Sequence, residues 1–212
     1  MKVYIVGEDE ATKEIIKRVL TFCSDNFEII LELPARGGQI KQKILNFNNL
    51  SESYPVILLM DLDEKDCAPI VLRDFFQNTK KSNHFIFNIA NDEAEAWLMA
   101  DRTSFSEYFR VPIDSIPFPQ RIRNKKDFYQ EMVFPYKSSF YMVNEIIPNS
   151  RIKEFKDQMI PQNGAKKGKE YNSALTPFIR NHWVIDNARL NSDSLNRMII
   201  RIDKLIRGNQ LN

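Results

Sequence analysis

Four short, strongly apolar runs punctuate the first 110 residues: "KVYIVG", "NFEIILEL", "YPVILLMDLD" and "HFIFNIA". Their length and their β-branched and aromatic content predict strands. Between them the apolar residues recur at helical spacing. In "DEATKEIIKRVLTFCS", Ile15, Ile16, Val19, Leu20 and Phe22 mark one face, and acidic residues occupy the first turn, where they oppose the helix dipole. "PARGGQIKQKILNF" predicts a turn and then a helix, "DCAPIVLRDFFQN" a helix after Pro69, and "DEAEAWLMAD" the opening of another. The order β-α-β-α-β-α-β-α predicts an α/β fold, a mostly parallel sheet flanked by helices on both faces. In such sheets the sites lie beyond the carboxyl ends of the strands.

The second half reads differently. Residues 111–126, with Pro112, Pro117 and Pro119, predict an irregular connection. "DFYQEMVFPY" and "SFYMVNEIIPNSRIKEFKDQMI" predict helices broken by prolines, and "PQNGAKKGKEYN" a loop. The end predicts two helices. In the second, Leu195, Met198, Ile199, Ile202, Leu205 and Ile206 recur at helical spacing. The expected organisation is an α/β domain over 1–110 and a proline-broken connection with a mainly helical extension over 111–212.

Composition narrows the class. Of 212 residues, 43% are hydrophobic and 27% charged, enough apolar material for a core. No apolar run reaches the roughly 20 residues of a membrane span, and "MKVYIVGEDE" meets acid too early for a signal peptide. Two cysteines make neither a disulfide framework nor a zinc pattern, so a reducing cytoplasm is the expected compartment. The net charge of +2 hides an asymmetry. Residues 1–120 hold 13 basic against 19 acidic side chains, and residues 121–169 hold 11 against 5. An acidic half followed by a basic segment fits a carboxylate site beside a surface for polyanions.

The acids cluster at strand ends. Glu8 and Glu10 follow the first strand, Asp61 and Asp63 the third, and Glu93 and Glu95 the fourth. In a parallel sheet all six would share one edge. Clustered carboxylates repel and raise one another's pKa unless a cation neutralises them. Residues two apart in an extended segment point the same way, so Asp61 and Asp63 can flank one ion. A hard divalent cation, Mg²⁺ or Mn²⁺, suits such oxygen ligands.

A Glu after strand one and an Asp-x-Asp after strand three resemble the signature of the TOPRIM domain, shared by topoisomerases, bacterial-type primases and OLD-type nucleases. "VGEDEAT" looks like the first motif, with Asp9 where Gly is usual, and "MDLD" matches the second. "LPARGGQIKQKILNF", "NDEAEAWLMADRTSFSEYF", "YNSALTPFIRNHW" and "SDSLNRM" together resemble a family of small bacterial TOPRIM-like proteins, often encoded beside ABC-type ATPases. The resemblance implies Mg²⁺-dependent phosphodiester chemistry, a nuclease acting in phage defence or DNA repair with an ATPase as a possible partner. It implies that Asp61 and Asp63 hold the metal. Glu8 would be general base or ligand, and Glu95 a second-metal ligand or water-orienting group. A topoisomerase or primase reading lacks the expected further domains. The alternative is a non-catalytic TOPRIM-like module that docks on an ATPase or on nucleic acid.

Several basic residues are candidates for binding nucleic acid, with DNA the expected partner. Arg36 and Lys41 lie in or beside "PARGGQIKQK", where glycines would let backbone amides approach a phosphate, although the ending of a P-loop is missing. Arg121, Arg123, Lys125 and Lys126 form one basic cluster, and Lys166 and Lys167 begin another. Each would act on phosphates without reading sequence. His84 and His182 have no partner at metal-ligand spacing, and Trp97 and Trp183 are expected in the core. A receiver-like signalling domain is a third possibility, but no Lys follows a fifth strand as a receiver needs.

Overall fold

The computed structural model describes residues 1–34, 38–62, 68–77, 79–123 and 127–210. The chain divides into two compact units, one formed by 1–91 with 197–212, the other by 92–196. The sequence expectation put its division at 110.

In the first unit, strands β1 (Lys2–Gly7), β2 (Glu28–Glu32), β3 (Val56–Asp61) and β4 (Phe85–Ala90) form a parallel sheet in the order β2-β1-β3-β4. Helices α1 (Glu10–Cys23), α2 (Gly38–Leu50) and α3 (Ala68–Phe76) alternate with the strands, as the apolar periodicity predicts. Successive side chains along a strand face opposite sides. Val6, Leu58, Met60, Phe85 and Phe87 pack with Ile40, Ile44 and Phe47 of α2 and with Val71 and Phe76 of α3. Val3, Ile5, Ile57 and Leu59 alternate with them and are fully buried, and α1 packs on β1 and β3.

The turn from β1 into α1 is tight. A Cβ on Gly7 would come 2.8 Å from the Thr12 hydroxyl and 2.9 Å from the Lys13 amide, so only glycine fits. Asp9 then caps α1. Its Oδ1 accepts from the Thr12 amide at 2.9 Å while its own amide donates to Thr12 Oγ1 at 2.9 Å, a reciprocal capping box.

The second unit is mainly helical: α4 (Ala94–Ala100), α5 (Arg102–Phe109), α6 (Ser138–Tyr141), α7 (Lys153–Met159), α8 (Tyr171–Asn181) and α9 (Ile185–Asn191). The long α10 (Asp193–Gln210) begins in it. Trp97, Phe105, Phe109, Phe178 and Trp183 are fully buried, and the Phe105 and Phe109 rings lie 4.5 Å apart between centroids. Buried Asp101 ties the helix ends together, accepting from the Ser104 amide at 3.4 Å, the Val184 amide at 2.8 Å and Asn187 Nδ2 at 3.3 Å.

Two expectations are corrected here. "QRIR" and "FYQE" are not irregular and helical but the antiparallel hairpin β5 (Gln120–Arg123) and β6 (Phe128–Glu131). Their period is two: Ile122 pairs with Tyr129, both half-buried, while Arg121, Arg123 and Phe128 are exposed. The C-terminal region holds three helices, not two. The chain breaks at His182–Val184, where the Val184 amide turns to Asp101 instead of continuing a helix. Among the described residues no helix is long and apolar enough to cross a membrane.

Candidate functional site

The chain runs from β1 outward to β2, then returns past β1 to β3 and on to β4, so the sheet order reverses between β1 and β3. Crevices beyond the carboxyl ends of strands at such a reversal are where ligands bind in open α/β sheets. An acid stands at each of these two strand ends, Glu8 just after β1 and Asp61 at the end of β3. Asp61 is the last residue of β3, and its amide donates to Glu8 Oε1 at 3.3 Å. Both side chains are half-buried. Glu10, the other acid expected after β1, is exposed in the first turn of α1, and Asp9 is occupied as the cap. The structure therefore brings Glu8, not Glu10, to Asp61. Asp63, Glu64 and Asp66 lie outside the described residues.

Whether this set suits a divalent cation can be tested on the donors present. Among the described residues no three His, Cys, Asp or Glu side chains are grouped to hold a metal ion. Glu8 and Asp61 are two carboxylates at adjoining strand ends. That is the number Mg²⁺ often takes from a protein when waters and substrate phosphate oxygens complete its shell. In donor chemistry, two oxygen ligands, the pair is of the kind a hard cation takes.

The second unit carries its own charged group at the start of α4. Glu95 is buried, and its Oε1 accepts from Lys167 Nζ at 2.7 Å and from the Tyr171 hydroxyl at 2.9 Å. Lys167 also lies 4.5 Å from the centre of the Tyr171 ring. Glu93 Oε2 accepts from the Ser139 amide at 2.8 Å, with Lys137 Nζ 3.9 Å from its other oxygen. Asp92 has φ 67° and accepts from the Ser138 amide at 2.8 Å. Its carboxyl is pushed up to about 6, first by burial, with the charges of Glu93 and Glu95 adding and the Ser138 hydrogen bonds opposing. Glu95 was expected from the sequence; Lys137 and Tyr171 were not, because nothing local in "PYKSS" or "KEYN" distinguishes them from surface residues. Lys167, expected on a nucleic-acid surface, faces Glu95 within its own unit.

Among the basic candidates, Lys41 and Lys166 are exposed. Arg121 and Arg123 lie on the exposed face of β5, with the Arg121 guanidinium 4.1 Å and that of Arg123 5.8 Å from the centre of the Phe128 ring. Arg36, Lys125 and Lys126 lie outside the described residues. His84 is exposed, and the ring of His182 rests 4.7 Å from that of Tyr108.

Residues 7–150 match a family described as a domain of unknown function, DUF4276, and the chain belongs to that family. The matched span includes Glu8, Asp61, Asp63 and Glu95 and stops before Lys167 and Tyr171. No curated protein and no solved structure matches the chain.

Proposed function

We propose that this member of the DUF4276 family is a Mg²⁺-dependent nuclease of TOPRIM-like type that hydrolyses nucleic-acid phosphodiesters at the β1–β3 edge. The observation that carries this reading is the meeting of Glu8 and Asp61 at the reversal of the sheet, joined by the hydrogen bond from the Asp61 amide to Glu8 Oε1 at 3.3 Å. Glu8 and Asp61, with Asp63 two residues beyond in the sequence, are the residues that would hold the ion. When bound, Mg²⁺ supplies polarisation of the scissile phosphate and a lowered pKa for water.

The chain's own residues do the rest. The Asp61 amide fixes one oxygen of Glu8 at the strand end, which orients its carboxylate without consuming a side chain. Where Glu8 is not itself a ligand of the ion, its other oxygen would take the proton of the attacking water. Gly7 and the Asp9–Thr12 box fix the turn on which Glu8 sits. In the second unit, exposed Arg121 and Arg123 would meet nucleic-acid phosphates through their charge.

One observation favours the second reading, a non-catalytic module that docks on an ATPase or on nucleic acid. Glu95 is already paired with Lys167 and accepts from the Tyr171 hydroxyl, as a structural carboxylate would. Plasmid nicking by the purified protein in Mg²⁺ or Mn²⁺ separates the two. Nicking by the wild type that Asp63→Asn abolishes supports the nuclease. No nicking with either metal, even with an ABC-type ATPase present, supports the docking module.

A further inference from the structure

At the other end of the same sheet, beside the amino end of edge strand β4, lies a cavity of about 560 Å³. Four basic side chains line it: Lys81 and His84 from the segment that leads into β4, and Arg201 and Lys204 from α10. Arg201, Lys204, Leu205 and Gly208 recur at the spacing of one helix face, which excludes Asp203 from it. Among the described residues that line the cavity there is no carboxylate. Leu72, Ile86, Phe87 and Leu205 give it an apolar lining as well.

Two of the cations are held in place. Arg201 Nη1 donates to Asn88 Oδ1 at 2.9 Å and to the Phe87 carbonyl at 3.4 Å. Lys81 Nζ donates to the Ser82 carbonyl at 3.1 Å. Its ammonium pKa is lowered, first by burial and then by the charge of Arg201, so positive charges crowd this place. Basic residues in the last turns of a helix often just offset its dipole. That does not account for Lys81 and His84, which come from another segment.

We propose that this cavity binds a small organic phosphate of nucleotide size, with the phosphate held by Lys81, Arg201 and Lys204 and the organic body against Ile86, Phe87 and Leu205. The volume lies within the usual range for small-molecule sites, roughly 300–1,000 Å³. Several converging cations match a multiply charged phosphate better than a single carboxylate, and the apolar lining gives an organic body what inorganic phosphate would not use. This site is separate from the carboxylate edge and does not depend on the reading given to that edge.

Calorimetry with ADP, inorganic phosphate and a short single-stranded oligonucleotide, all in EDTA so that no metal occupies the carboxylates, tests it. ADP should bind, and inorganic phosphate more weakly. Lys204→Glu should weaken ADP by about tenfold or more, the effect of losing a charge-assisted hydrogen bond. Arg207→Glu makes the same charge change on the same helix outside the cavity and should leave ADP binding unchanged. Melting curves report whether each variant folds. If Lys204→Glu does not fold, Gly208→Phe decides: among the described residues a Cβ there meets no heavy atom within 4 Å, so the ring can occupy space and block ADP. Absence of ADP binding, equal losses from Lys204→Glu and Arg207→Glu, or tighter binding of the oligonucleotide at these residues would each overturn the proposal.

Discussion

The Lys167 ammonium lies 2.7 Å from a carboxylate oxygen of Glu95, 72 residues earlier in the chain. The Glu95 side chain is 6% exposed and that of Lys167 31%, so the pair is shielded from solvent on one side only. Buried pairs are costly to break because the remaining charge loses its partner, whereas exposed ones contribute little. This pair stands between those limits. Glu95→Gln and Lys167→Met are each expected to lower stability by about 1–3 kcal/mol, and Tyr171→Phe by about 1.5–3 kcal/mol, since it removes a hydrogen bond to a carboxylate. Urea denaturation of both single variants and the double variant measures this. Additive losses would show that Glu95 and Lys167 do not act as a pair.

Asp92 makes stability depend on pH. Its folded pKa, about 6, stands above the ordinary value of 3.8, so between those values the folded protein holds more protons than the unfolded chain. Stability attributable to this group is therefore highest below about pH 4, falls as pH rises through 6, and stays reduced above it. Asp92→Asn removes that penalty while keeping an acceptor for the Ser138 amide. Asn also tolerates the left-handed backbone at this residue. The variant is expected to gain about 1 kcal/mol at pH 7, a figure reduced for partial exposure. It should also lose stability less steeply than the wild type between pH 4 and 6. Burial also raises the pKa of Glu131, but that contribution is common to both proteins and cancels in the difference. Parallel slopes in melting curves across pH 4–7 would be evidence against a raised pKa at Asp92.

What could be read from the sequence follows the range of the interactions. The four strands and the helices between them are set by apolar periodicity, a local property, and β1 to α4 appear where it places them. Glu8 and Asp61 were legible because both terminate apolar runs, so a parallel sheet puts them at one edge. The hairpin β5–β6 was not: its strands are four residues each, half exposed, and preceded by three prolines that read as loop. Nor were the partners of Glu95. Lys167 and Tyr171 meet it only through the packing of the second unit, and no spacing in the chain encodes a contact over 72 or 76 residues. Asp9, which departs from the TOPRIM-like pattern, has a local explanation after all, since it caps α1.

The hairpin supplies a test of nucleic-acid binding. Arg121 and Arg123 flank the exposed ring of Phe128, an arrangement on which an unpaired base can stack while the guanidinium groups meet phosphates. Replacing both arginines with Glu is expected to weaken single- and double-stranded DNA alike and to flatten the salt dependence. Phe128→Ala is expected to cost roughly 1–3 kcal/mol for single-stranded DNA, the worth of one stacked base, and much less for duplex. Fluorescence anisotropy at two salt concentrations reads both. Equal losses on the two substrates from Phe128→Ala would remove the stacking role.

The last prediction concerns the carboxylate edge and separates binding from catalysis. A cation that binds only the folded protein raises its stability by mass action, about 2.7 kcal/mol at a hundred times its dissociation constant. Millimolar Mn²⁺ should therefore raise the melting temperature and EDTA reverse the rise. Glu8→Gln retains an oxygen to accept from the Asp61 amide, so the fold should survive. It removes one of the two charges that repel across the edge, so in EDTA its melting temperature should equal or exceed that of the wild type. In Mn²⁺ it should gain little. Asp61→Asn should behave the same way, whereas Glu10→Gln, exposed in the first turn of α1, should respond to the metal as the wild type does. If metal binding and nicking are both lost in Glu8→Gln and both kept in Glu10→Gln, the ion and the chemistry share the β1–β3 edge. A metal-induced rise that survives in Glu8→Gln and Asp61→Asn alike would place the cation elsewhere and remove the basis for assigning nuclease chemistry to these residues.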